Sequence, residues 1–288
     1  MAAAVAVAGG AASGERVDWR LAAPLGLTYL VFFAAPFAIL LGISFYADAE
    51  QTQLGLGSWL KFYTDAFYLK VIFDTLKLGF FAVAATTLLA YPLALVFRAS
   101  SPRLQRILTF IILMPLLTSV VIRTFAWIVI LAREGVVNQA LMGLGLTAAP
   151  LNLLQTELGL VIALTQIEMP LMLLPLLTIM SRMDQNLVDA SRALGASQWR
   201  TFFKVVLPLT LPGWIAGATL VFASSTTAFI SQTVIGGARL VYLPALIYQQ
   251  ATVVYNWPFA AVASLTLLFT VLAGIMALGL LGRFARMD

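Results

Sequence analysis

Asp189-Ala190-Ser191-Arg192-Ala193-Leu194-Gly195-Ala196-Ser197-Gln198-Trp199-Arg200-Thr201-Phe202-Phe203-Lys204-Val205-Val206-Leu207-Pro208 is a polar, basic stretch in a chain that is otherwise mostly apolar. Leu187, Ala190, Ser191 and Leu194 recur at i, i+3, i+4 and i+7, so they share one face of a short helix. Asp184 or Asn186 can cap its start by accepting bonds from free backbone N–H groups. Gly195 tolerates the left-handed conformation that ends a helix. Ser197 can cap a second helix, with Trp199, Phe202, Phe203 and Val206 on one face, that runs into Pro208 and the next apolar run. The expectation is helix, glycine turn, helix, lying on a membrane surface.

The membrane follows from composition. The chain is 61% hydrophobic and 10% charged, where a soluble domain carries roughly 25% charged residues. The apolar runs are continuous rather than alternating, so the class is an all-α integral membrane protein and not a barrel. Runs near 22–46, 75–97, 107–132, 158–180, 209–235 and 258–282 each suffice to cross about 30 Å of hydrocarbon at about 1.5 Å per residue. That predicts six transmembrane helices. Residues 22–288 then form one transmembrane domain, with the polar loop at 181–208, and residues 1–21 form a cytoplasmic tail. Within that tail, 1–14 are uncharged and Ala/Gly-rich and read as disordered, with a weak membrane-surface contact as the alternative.

Charge sets the orientation. Arg16, Arg20, Arg98, Arg103, Arg106, Arg182, Arg192, Arg200, Lys204, Arg283 and Arg286 fall on one side, and only Lys61, Lys70, Arg133 and Arg239 on the other. Eleven against four places both termini and the Asp189 loop in the cytoplasm. The net charge of +5 is therefore spent on topology and is no nucleic-acid signal. On the far side, residues 47–74 hold Trp59, Phe62, Tyr63, Phe67 and Tyr68, which suit an interfacial segment, either a simple anchor or a contact for another protein.

The 189–208 pattern resembles the EAA loop of ABC-importer permeases. The matching elements are Asp189-Ala190-Ser191, Gly195 and Val205-x-Leu207-Pro208. Other stretches resemble permeases of the spermidine/putrescine type: Met114-Pro115-Leu116-Leu117-Thr118, Arg123-Thr124-Phe125-Ala126-Trp127, Gly135-x-x-Asn138, Met169-Pro170 through Pro175, Gly236-Gly237 and Asn256-Trp257-Pro258. Two positions depart from the pattern. Asp189 stands for Glu, one methylene shorter, and Ser191 stands for the second Ala. The resemblance implies the type I ABC importer permease fold, with Leu187, Asp189, Ala190, Ser191, Leu194 and Gly195 in a cytoplasmic coupling helix. It also implies a bacterial inner-membrane location, a second homologous permease chain, two cytoplasmic ATPase subunits and an extracytoplasmic solute-binding protein. ATP and Mg would be held by those partner ATPases.

Glu168 lies in the fourth run, where a charge at bilayer depth costs roughly 2.5–3.5 kcal/mol on insertion scales. It must face a partner or a wet cavity. Gln166 precedes it, and Pro170 removes a backbone donor from the carbonyl of Gln166. Glu168, with Gln166 near it, is a wall of a solute path, or Glu168 forms an ion pair with Arg123 or Lys77, or it is protonated. In the fifth run, Ser224, Thr227 and Ser231 fall on one face of an unbroken helix, with Gln232 beside them; they are either pore lining or helix-packing positions.

No phosphate loop of the form G-x-x-x-x-G-K-[ST] occurs, and there is neither His nor Cys. No catalytic constellation, metal site or cofactor site is expected in this chain. The expected function is a non-catalytic ABC-importer subunit forming half of a path for a small organic solute, a polyamine-like cation from the resemblance. The rival is a stand-alone carrier that uses Glu168 as its ion-coupling carboxylate.

Overall fold

The computed structural model describes residues 19–284, with side chains over 23–280. Most of the predicted tail, residues 1–18, lies outside the described residues. Two compact units emerge, Met1–Gly42 and Ile43–Asp288. The first holds α1 (Trp19–Tyr29) and most of α2 (Ala35–Ile43), joined by a π-turn at Leu30–Ala34. Ala35 donates its N–H to the carbonyl of Leu30, and Pro36 follows at once. A proline ring crowds the carbonyl four residues back, and a widened turn relieves that clash.

The second unit is helical among its described residues apart from one isolated β-bridge, Tyr46 with Leu54. A short α3 (Gly57–Thr64) precedes α4 (Ala66–Ala99), which is capped by Asp65 accepting from the Phe67 N–H at 2.8 Å. The predicted start at 75 is therefore nine residues late. Lys70, Asp74 and Lys77 hid the true start, because charges do not read as membrane helix. In the fold Lys70 pairs with Asp74, and Lys77 bridges Asp74 at 3.4 Å and Glu157 at 2.9 Å. Phe62 of the predicted interfacial segment is not an anchor. It is fully buried against Tyr68 and Phe259.

The third predicted span is broken. α5 (Pro102–Leu113) and its 3-10 turn at Met114–Leu117 meet α6 (Val120–Leu131) and α7 (Val136–Gly143) at a bend of 99°. α8 (Glu157–Arg182) runs unbroken through Pro170 and Pro175. α9 (Gln185–Ala193) and α10 (Gln198–Thr201) form the polar loop, and a π-turn at Phe202–Val206 leads into α11 (Leu207–Thr227). This second π-turn has the same cause as the first: Leu207 donates to Phe202 and Pro208 follows. The π-turn also shifts the helical period, so the expected common face splits. Val206 is buried while Trp199 and Phe203 are exposed.

The fifth predicted span is broken as well. Ala228, at ψ 61°, separates α11 from α12 (Phe229–Gly236). A 3-10 turn at Gly237–Arg239 then turns the chain by 87° into α13 (Leu243–Thr252), and α14 (Trp257–Phe284) closes the chain. Among the described residues five runs are long and apolar enough to cross unbroken, and counting each of the two bent pairs, α5–α7 and α12–α13, as one crossing makes up to seven.

α4, α8 and α11 make the centre, around Ala82, Tyr91, Met172, Leu176 and Phe222. α11 lies so close to α8 because Gly213 and Gly217, four residues apart, offer no side chain there. A Cβ on Gly213 would stand 2.8 Å from the Pro175 carbonyl oxygen, and one on Gly217 would stand 2.9 Å from that of Met172. Small residues at this spacing let membrane helices touch backbone to backbone. Gly217→Ala should therefore cost about 1–3 kcal/mol through overpacking. Gly279→Ala, with nothing within 4 Å, should be neutral or gain up to about 1 kcal/mol from helix propensity. Thermal unfolding of the two purified variants in one detergent checks the pair, and equal melting temperatures would refute the close-approach account.

Candidate functional site

Two sites emerge, one at the surface and one inside. The surface site is α9. Asp184 caps it, accepting from the Asn186 N–H at 2.9 Å. At its other end Gly195 takes φ +82°. The Gly195 N–H reaches the Arg192 carbonyl at 2.9 Å and the Ala196 N–H reaches the Ser191 carbonyl at 3.2 Å. This crossed pair is a glycine-dependent helix stop, as the sequence led us to expect. Ser197 caps α10 through the Arg200 N–H at 3.3 Å, and the Ser191 and Thr201 hydroxyls bond at 3.0 Å. The loop is thus fastened to itself and to the base of α11.

Its outward face has no cover. Leu194 is 89% exposed and Leu187 48%, with Asp189, Ala190 and Gly195 exposed beside them, while Val188 on the opposite side is 4% exposed. The helix is therefore anchored by the Val188 side and presents Leu187, Ala190 and Leu194 outward, with Ser191 at the edge.

The inner site lies around Glu168, which is 4% exposed. Ser224 of α11 faces its carboxylate, and the Arg123 guanidinium acts on it through space. No ion pair within 4.0 Å joins Glu168 to another described residue. Lys77, one of the two expected partners, is engaged with Asp74 and Glu157 instead. Arg123 donates to the Ile167 carbonyl at 3.0 Å. Trp127 donates to the Gln166 side chain at 3.0 Å. Gln166 and Ser224 are partly exposed.

The other expected path residues separate. Thr227 is exposed and folds its hydroxyl back onto the Ala223 carbonyl at 2.8 Å. Beyond the break at Ala228, Ser231 does not share the face of Ser224 and Thr227. It is buried and bonds Thr124 at 2.9 Å. Gln232 is fully buried, and its amide donates to the Ser225 and Thr226 carbonyls at 2.9 and 3.1 Å. It recaptures carbonyls that the break released. Asn138 does the same at the bend after α6. It donates to the Ala132 and Leu151 carbonyls at 3.0 and 2.9 Å and accepts from the Leu151 N–H at 2.8 Å. In the sequence Asn138 stands out only through the Gly135-x-x-Asn138 motif, with Gln139 beside it.

This geometry, a kinked helical bundle with a rigid polar loop hung from one end, matches known proteins. Residues 88–285 match the model of the family described as binding-protein-dependent transport system inner membrane component. The chain belongs to this family. The spermidine/putrescine transport system permease protein PotB of Haemophilus influenzae is 31% identical over 253 residues, covering 86% of this chain and 88% of that one. The protein of the same name from Escherichia coli K12 is 30% identical over 252 residues, covering 86% and 91%. A solved bacterial ABC transporter involved in the import of the acidic polysaccharide alginate superposes with a TM-score of 0.75 at 18% identity, over 92% of this chain and 96% of its own. That likeness shows the fold alone.

The chain is accordingly a multi-pass inner-membrane permease subunit of an ABC importer, and it is not an enzyme. Family membership sets aside the stand-alone carrier. A β-branched residue at Gly195 is strained at φ +82° by about 1–3 kcal/mol. Gly195→Val should leave the subunit in the membrane but reduce solute-stimulated ATP hydrolysis by the whole transporter several-fold. Unchanged ATP hydrolysis and uptake in that variant would count against α9 as the coupling element.

Proposed function

We propose that this subunit forms half of the path for a small polyamine-like cation, handed over by an extracytoplasmic binding protein. A second permease chain supplies the other half, and two cytoplasmic ATPases dock under the uncovered face of α9. Two PotB relatives with this substrate class in their names support the solute, and the exposed Leu187 and Leu194 support the dock. Both termini lie in the cytoplasm by the charge asymmetry. ATP and Mg reside on the partner chains, and this chain has no cofactor of its own. Closure of the ATPases pushes α9, and the bonds of Ser191 and Ser197 transmit the push to α11.

One observation carries the solute reading. Glu168 is a buried carboxylate with no ion-pair partner among the described residues, two residues before Pro170 in α8. Arg123, whose charge acts on it, has a buried Nε with no described hydrogen-bond partner. Buried polar groups are satisfied in most proteins, so unpaired ones ask for a role. Ser224 faces Glu168, and the ionised carboxylate gives that wall a negative charge. A cation passing about 10 Å away gains about 1.5 kcal/mol at an effective dielectric constant of about 20.

Glu168→Gln keeps shape and hydrogen bonding and removes the charge. Spermidine uptake into proteoliposomes should fall roughly tenfold, the equivalent of that one charge interaction, with the transporter still assembled. The structural alternative makes the opposite forecast. If Glu168 only neutralises Arg123, the single variant assembles poorly, because a lone buried charge costs about 3–5 kcal/mol. The double variant with Arg123→Gln then regains assembly. That recovery would sink the path reading.

A further inference from the structure

A cleft of about 780 Å³ opens where the last turns of α4 pass α9 and α10. Its floor is apolar, with Leu88, Pro92, Leu95, Phe202 and Val206, and its rim carries Arg98 and Arg192. From Thr87 to Ala99 the α4 wall covers thirteen residues, about 18 Å of helix. Half of a bilayer's hydrocarbon core is about 15 Å, so the apolar wall matches one leaflet and the guanidiniums stand at headgroup level.

The charges at the rim are not balanced. Arg98 reaches Gln185 at 2.6 Å and lies near the Met183 sulfur at 3.9 Å. Asp189 attracts it and Arg192 repels it. Two guanidiniums against one carboxylate leave the rim positive. Trp199, 74% exposed, lines the same cleft and stacks on Phe203. An indole at that level suits the membrane interface. A polyamine is excluded, because both guanidiniums repel it. A free anion would use the rim but leave the apolar floor empty.

We propose that this cleft binds an anionic phospholipid, with its phosphate between Arg98 and Arg192 and one acyl chain along Leu88, Pro92 and Leu95. Because Arg98 is also bonded to Gln185 in the first turn of α9, the lipid fastens the end of α4 to the polar loop. The lipid is then a structural partner of the element that α9 belongs to, distinct from the solute path around Glu168.

The test uses the assembled transporter in nanodiscs of phosphatidylcholine with increasing phosphatidylglycerol. Lipids retained after mild detergent extraction are counted by native mass spectrometry. The wild type should retain phosphatidylglycerol in preference to phosphatidylcholine. Losing two interfacial cations in the Arg98→Gln, Arg192→Gln variant should weaken that retention about thirtyfold. Leu88→Trp, which fills the floor and keeps both arginines, should also reduce it. This second variant decides the case if the double variant fails to assemble. Equal retention of the two lipids by the wild type would overturn the proposal. So would unaltered retention in both variants, or displacement of the lipid by millimolar inorganic phosphate, which would show a free-anion site instead.

Discussion

Within a membrane every backbone N–H and C=O needs a partner from the protein itself, since the hydrocarbon offers none. The rest of this structure depends on that constraint. The chain breaks its helices at membrane depth more than once, and at each break a polar side chain is bonded to the freed backbone. Gln232 holds the carbonyls at the end of α11. Asn138 holds both sides of the loop between α6 and α8. Thr75 accepts from the Leu243 N–H at 3.1 Å, at the start of α13. An unpaired group would cost several kcal/mol in this setting, so these side chains decide where irregular backbone can exist.

That constraint also sorts the polar residues by role. Ser231, Asn138 and Thr124 spend their hydrogen bonds on the fold, as does the Gln232 amide nitrogen, while Gln232 Oε1 is buried without a described partner. Glu168 does not pair with a described cation, and Arg123 leaves one nitrogen without a partner. Polar groups left over after the backbone is served are the ones with capacity for a solute. The same sorting applies to α9, whose end groups are closed by Asp184 and Gly195. Its apolar positions Leu187 and Leu194 are left uncovered for another chain. A stiff loop with an open face is suited to carry a push from outside the membrane to α11.

The fold class was legible because long apolar runs and lopsided positive charge are one-dimensional signals. The coupling loop was legible for a related reason: caps, a glycine stop and an i, i+3, i+4 face are local, and local rules hold wherever the loop sits. The breaks were not legible. Hydropathy sees 107–132 and 209–235 as unbroken, because a bend at Thr118 or Ala228 costs no apolar residue. It becomes possible only through partners far along the chain, such as Thr124 for Ser231. Likewise the true start of α4 was hidden by charges whose compensation by Glu157 lies eighty residues on.

By itself, then, the sequence determined that the chain spans a membrane and that its polar loop is a capped helix with a glycine stop. Each of these depends on residue type and short spacing alone. Only the tertiary structure decided which polar residues serve the backbone and which are left free. It took Ser231 and Gln232 into the frame, separated Lys77 from Glu168, and brought Arg98 and Arg192 to one cleft. Hydrogen bonds and charges act over a few ångströms in space, and three-dimensional packing sets those distances.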